Sequence, residues 1–168
     1  ATITITAAAS SFTHNLRYSF CTKKGTIKTG AAVSTSWTLP TSLMTEIPSS
    51  TKSWITIYCD TYSGSTKIGT TSCTMTVTVP ASMAPTLSIA VSEAATIPSG
   101  ITGYIQGRSK LKVKSTAAGA SGSTIKSCTV TINGTTYSGT DITSNVLTKS
   151  VTFAVTAKVT DSRRRSTT

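Results

Sequence analysis

The chain has 168 residues and a net charge of +11, yet only 12% of its residues are charged and 38% are apolar. The positive balance comes from a shortage of acids. It favours polyanionic partners, while the few aromatics, not interleaved with bases, exclude a typical nucleic-acid module. Ser and Thr make up over a third of the chain; β-branched Thr suits a pleated surface, and no helix-period apolar stripe of useful length occurs, so an all-β fold is expected.

In chain order, Ile3 and Ile5 open the strand signals. Leu16, Tyr18 and Phe20 alternate onto one face, and Trp37 precedes a proline-containing loop. Lys52 to Gly64 (KSWITIYCDTYSG) reads as a strand ending in a turn. Cys73 to Val79 then places apolar residues at every odd position and Thr at every even one, the pattern of a half-buried strand. Val79-Pro80-Ala81-Ser82-Met83-Ala84-Pro85 cannot continue a sheet interior and is the expected linker. Beyond it come Leu87, Ile89 and Val91, then Leu111 and Val113, then Cys128, Val130 and Ile132, followed by the hairpin signal Asn133-Gly134. A last alternating strand is expected over Val151 to Val159.

Lys126 to Gly139 (KSCTVTINGTTYSG) echoes Lys52 to Gly64, with one residue more. Each half thus holds a Lys-Ser strand, a Thr-Tyr-Ser-Gly turn and a final alternating strand, which suggests duplication of one module. Short strands with regular turn signals point to two tandem immunoglobulin-like or fibronectin-like β-sandwiches, at 1–80 and 86–168, with 81–85 as linker.

Residue types for catalysis are few. Glu46, Asp60, Glu93, Asp141 and Asp161 show no local pairing, and the single His14 is expected at the surface. There is no Gly-x-Ser-x-Gly elbow and no phosphate-binding glycine loop, so no enzymatic activity and no cofactor are expected. Cys21, Cys59, Cys73 and Cys128 form no CxxC pair, which argues against a metal. They are expected as small buried residues of a reducing compartment, without disulfides. Cys59 and Cys73, on successive strands, are the pair nearest to bonding, and Cys21 is expected to be the most readily alkylated. Trp37, Trp54, Tyr58, Tyr62, Tyr104 and Tyr137 show no shared face at this level and are assigned to the core.

One constellation stands out. Arg108, Lys110, Lys112 and Lys114 alternate with Leu111 and Val113, giving a ladder of positive charge on one strand face, which Arg163, Arg164 and Arg165 could extend. It suits an anionic polymer or an acidic neighbouring subunit; the plainer reading is a solvated face or a charged edge strand. No transmembrane run or secretory leader is seen, and the chain does not begin with Met, which fits a segment of something longer.

Several separated motifs occur in order over residues 48–168: Tyr62-Ser-Gly-Ser-Thr-Lys-Ile-Gly69, Tyr104-Ile-Gln-Gly-Arg-Ser-Lys-Leu-Lys-Val113, Ala117-Ala-Gly-Ala-Ser-Gly-Ser-Thr-Ile-Lys-Ser127 and Val159-Thr-Asp-Ser-Arg163. In these the chain resembles a family of minor structural proteins of tailed bacteriophages with long non-contractile tails. The resemblance implies a virion protein, assembled in the bacterial cytoplasm, whose partners are other virion proteins or copies of itself, with an anionic host cell-wall polymer as a further partner. It implies no specific nucleic acid and no membrane insertion. In that family Gly more often stands where Arg164 sits, so Arg164 argues against a tight turn there. The alternative is a bacterial surface adhesin or pilus-type module that binds carbohydrate.

Overall fold

The computed structural model describes residues 2–101, 103–149 and 152–168. They are all-β: thirteen strands in antiparallel sheets, with two short 3-10 helices at Thr41–Glu46 and Ala81–Met83. The chain divides into two compact units, Ala1–Pro80 and Ala81–Thr168.

In the first unit, strands β2 (Phe12–Phe20), β3 (Lys23–Lys28), β5 (Lys52–Ser63) and β6 (Thr66–Thr78) form one sheet in the order β3-β2-β5-β6. Strands β1 (Thr2–Thr4) and β4 (Ser34–Ser36) form a separate pair. Period-2 alternation sends His14, Leu16, Tyr18 and Phe20 of β2, with Ile55 and Ile57 of β5, to the inner face. There Leu16, Phe20 and Ile55 are completely buried. Ile3, Ile5 and Trp37 pack on Leu16, Ile57 and Cys59 from above, and Trp37 stacks on Tyr18 with 5.2 Å between ring centres.

Strands of three residues cover little, and β6 contributes nothing to that cluster. Its inner face is therefore open: Cys73 is exposed and Met75 is 41% exposed, and burial begins only at Val77. The alternation of β6 is real, but only its end is half-buried. His14, expected at the surface, is buried on the inner face, where its Nδ1 lies 3.1 Å from the Thr61 hydroxyl.

In the second unit, β7 (Thr86–Glu93), β8 (Leu111–Ala118) and β11 (Asp141–Thr143) form one sheet, ordered β11-β8-β7. Strands β9 (Ile125–Ile132), β10 (Thr135–Ser138), β12 (Val155–Asp161) and β13 (Ser166–Thr167) form the other, ordered β10-β9-β12-β13. One core draws on both, with Val113 and Ile142 meeting Val130, Ile132 and Ala157. The final strand begins at Val155 rather than in the Val151 region; Val151 itself lies outside the described residues.

The two echoing segments fold differently. Lys52 to Ser63 is one unbroken strand, whereas the second copy folds back at Asn133-Gly134 into the β9–β10 hairpin. Asn133 and Gly134 both take positive φ, at 46° and 86°, which the primed two-residue turns require. Cys59-Asp60 at the matching place in the first copy stays extended. The echo is a likeness of composition, not of structure.

The motif stretches of the second unit lock onto one another. The turn in Ala117–Ser127 needs Gly119, because a Cβ there would sit 1.9 Å from the Ser123 carbonyl oxygen. The Arg163 side chain then reaches across and donates from Nη1 to the Ala120 carbonyl and from Nη2 to the Ser121 carbonyl, both at 2.7 Å. The Ser162 N–H donates to the Thr124 carbonyl and the Thr124 N–H donates to the Ser162 hydroxyl, closing the same junction. The Tyr104 stretch is likewise held to the segment before Lys149: the Tyr104 hydroxyl lies 2.9 Å from the Leu147 carbonyl oxygen and 2.7 Å from that of Lys149.

The tight turn at Arg164 forms despite the arginine. Arg164 adopts φ of 63°, and Asp161 Oδ1 accepts the backbone N–H groups of Arg163 and Arg165, each at 2.9 Å. The left-handed conformation costs a non-glycine residue roughly 1–2 kcal/mol, offset in part by the greater unfolded-state entropy of glycine. Arg164→Gly is expected to raise stability by about 1 kcal/mol, as an upward shift in the thermal midpoint; an unchanged or lower midpoint would show that the arginine side chain holds the turn.

Candidate functional site

The outer face of the β3-β2-β5-β6 sheet is built by strand alternation alone. With Ile55, Ile57 and Cys59 directed inward, β5 turns Trp54, Thr56, Tyr58, Asp60 and Tyr62 outward. The neighbouring strands add Arg17 beside Tyr58 and Asn15 beside Asp60 from β2, and Thr70, Ser72, Thr74 and Thr76 from β6. Three aromatic side chains thus share one strand face at intervals of four residues. Trp54 is 70% exposed, although burying a large apolar side chain is worth about 1.5–3 kcal/mol. This corrects the assignment of the Trp54, Tyr58 and Tyr62 row to the core; the assignment holds for Trp37 and Tyr137, which pack against the cores of their units. Even spacing within one strand was the available signal, since residues two or four apart face the same way.

Asp60 organises the middle of the face. Its carboxylate accepts from Arg17 Nε at 2.8 Å, from Lys67 Nζ at 2.6 Å and from the Thr70 hydroxyl at 2.6 Å. The Arg17 hydrogen bond is the chief reason its carboxyl is held well below the usual carboxylate range; burial pushes the other way, and Lys67 and Thr70 add to the lowering. The Arg17 guanidinium also lies over the Tyr58 ring, 4.1 Å from its centre, a cation–π contact. Thr56 and Thr74 share a hydroxyl hydrogen bond of 3.2 Å across β5 and β6. The face therefore offers flat rings, rows of hydroxyls and cations fixed in place by one neutralised acid.

The basic residues singled out from the sequence do not form one ladder. Strand β8 begins at Leu111, after Arg108 and Lys110. Arg108 sits in the preceding turn, with Nε donating to the Thr96 carbonyl at 3.0 Å. Lys112 and Lys114 do share the outer face of β8, but that strand is central in its sheet, not an edge, and Lys112 lies 3.5 Å from Asp141. Arg163 is 4% exposed and spent on the carbonyls of its own unit, its pKa lowered chiefly by burial. It therefore leaves the candidate patch. Among these, Lys110 is half-buried, while Lys112, Lys114 and Arg164 are exposed and Arg165 is half-buried.

All four thiols are free. Cys21 and Cys73 are exposed, Cys59 is half-buried and Cys128 is buried, so only part of the set fits the expected burial. Cys59 pairs with Thr71 and Cys73 with Ile57, which puts the two cysteines diagonally on the inner face. Burial pushes the Cys59 thiol up, and its sulfur lies 3.7 Å from His14 Nδ1. Among the described residues no group of three or more His, Cys, Asp and Glu side chains is placed to hold a metal ion, and no helix is long and apolar enough to cross a membrane.

Fold and face define a class: an all-β protein of antiparallel sheets that presents an aromatic, hydroxyl-rich and basic surface. A family model described as "Siphovirus protein of unknown function (DUF859)" matches residues 1–168, so the chain belongs to that siphovirus family. No curated protein and no solved structure matches the chain.

Proposed function

We propose that the chain is a structural component of a long-tailed phage particle, in the tail, tail tip or fibre. It acts by packing against other virion proteins or copies of itself, and it contacts the host surface; it is not an enzyme. The observation that carries this reading is membership of a siphovirus family over the whole length of the chain. The construction agrees with it. Two compact all-β units, proposed to be independently folded immunoglobulin-like sandwiches in tandem, suit a repetitive assembly. The exposed bases Lys112 and Lys114 are assigned to an acidic surface on a neighbouring subunit, where charge steers assembly more than it adds affinity. Family membership favours this reading over a bacterial adhesin.

Mass spectrometry of gradient-purified particles tests it. The chain is expected in intact particles at a fixed ratio to the other particle proteins and in every fraction that contains tails. Its absence from particles of a phage that expresses it would overturn the reading.

A further inference from the structure

We propose that the outer face of the β3-β2-β5-β6 sheet binds a linear anionic polysaccharide, one bearing carboxylate or phosphate groups as bacterial surface polymers do. The proposal rests on the host-contact part of the function proposed above, and names its site and ligand class.

The first reason is the aromatic row. Trp54, Tyr58 and Tyr62 are four residues apart along one strand, so each step is ~13 Å and the row spans ~27 Å. That length suits a chain rather than a small molecule. The exposed Trp54 ring presents a negative π face, onto which the C–H-rich face of a sugar ring packs; Tyr58 and Tyr62 are half-buried, and Arg17 lies over one face of Tyr58. The hydroxyls between and beside the rings come from Thr56, Ser72, Thr74 and Thr76, and such groups both donate to and accept from sugar hydroxyls.

The second reason is charge. The one acid on this face, Asp60, is fully engaged by Arg17 and Lys67, and Lys24 and Lys52 stand on the same face toward its margins. The positive surplus is complementary to an anionic polymer and disfavours a cationic one.

The same features set other partners aside. The buried centre of a protein–protein interface is depleted of charge and rich in apolar side chains. Here, apart from Ile68 at the β6 bulge, the aliphatic side chains lie on the opposite side of the sheet, and an ion network occupies the middle. Single-stranded nucleic acid stacks base after base on aromatic side chains; rings ~13 Å apart with hydroxyls between them cannot receive successive bases.

The test uses the full chain against arrayed carboxylated and phosphorylated bacterial polysaccharides, with neutral polysaccharides and poly(dT) alongside. Retention on anionic polysaccharides, with the neutral polymers and poly(dT) at least about tenfold weaker, is expected. Trp54→Ala should reduce binding at least about tenfold, roughly the loss of one good stacking contact. Trp54→Phe should stay within about threefold, because a stacking ring remains. Both variants should melt like the parent, since Trp54 is exposed. Bound polysaccharide should shift Trp emission to the blue and protect it from acrylamide, and Trp54→Phe should abolish that shift. Equal binding by Trp54→Ala, equal binding of poly(dT), or no polysaccharide bound by the folded chain would each overturn the proposal. Phage carrying Trp54→Ala separates this from the wider reading. Normal particles that adsorb poorly to cells support the glycan face. Failure of the variant to enter particles would make the face a subunit contact, overturning the glycan proposal while leaving the virion assignment standing.

Discussion

Replacing Arg163 with methionine is expected to destabilise the second unit by about 3 kcal/mol, the upper part of the range for hydrogen bonds to a charged group. The methionine keeps most of the stem's packing but removes both donors, leaving the Ser121 carbonyl without the partner at 2.7 Å and the Ala120 carbonyl dependent on Ser123. The loop these carbonyls belong to carries a strained residue, Ser121 at φ of 46°, and the arginine pins it. Arg163→Lys should recover only a minor part, because a single ammonium cannot bridge two carbonyls as a planar fork does. Both tryptophans, Trp37 and Trp54, lie in the first unit. Urea unfolding followed by Trp emission should therefore be unchanged, while hydrogen exchange across β8, β9 and β12 should speed up. A matching shift in the Trp transition would mean that the two units unfold together and would overturn their proposed independence.

Asp60→Asn is expected to cost the first unit about 2 kcal/mol at pH 7, since charge-assisted hydrogen bonds from Arg17 and Lys67 are worth about 1.5–3 kcal/mol. The cost stays below that of breaking a fully buried pair because the Arg17 and Lys67 side chains are 42% and 43% exposed, and water screens what is left. The pH dependence follows from the direction of the shift. Folding holds the Asp60 carboxyl below its ordinary value, first through Arg17, so the unfolded chain takes up the proton more readily than the folded chain. The stabilisation is therefore complete above about pH 5, and is lost as pH falls through the ordinary aspartate value of about 3.9 and beyond. Urea midpoints read by Trp emission should show parent and variant far apart at pH 7 and converging toward pH 2.5. A gap as wide at pH 2.5 as at pH 7 would assign the loss to shape rather than charge.

Much of the strand layout is written in local pattern. Leu16 and Phe20 alternate onto a buried face as their spacing demands, and Asn133-Gly134 makes a hairpin because both positions accept positive φ. The scarcity of helix-period stripes and the abundance of Thr settle an all-β chain. The candidate face was half legible: Trp54, Tyr58 and Tyr62 share a parity that the sequence displays, but parity says only that they point the same way.

Which way is covered is not a local property. Strands β1 and β4 have three residues each, so they shield Leu16 and Ile57 but leave Met75 exposed on the same inner face. Nothing in the alternation of β6 could announce that shortfall. The arginines make the same point: three stand in a row, and Arg163 alone is buried to this degree, because the loop from Gly119 to Ser123 folds back to within hydrogen-bonding reach of it. The sequence by itself determined which residues would lie together on a strand, because that depends on a two-residue repeat of the backbone. Only the tertiary structure decided which faces were sealed, which charges were spent and which rings stayed in water, because those depend on what distant segments bring against them.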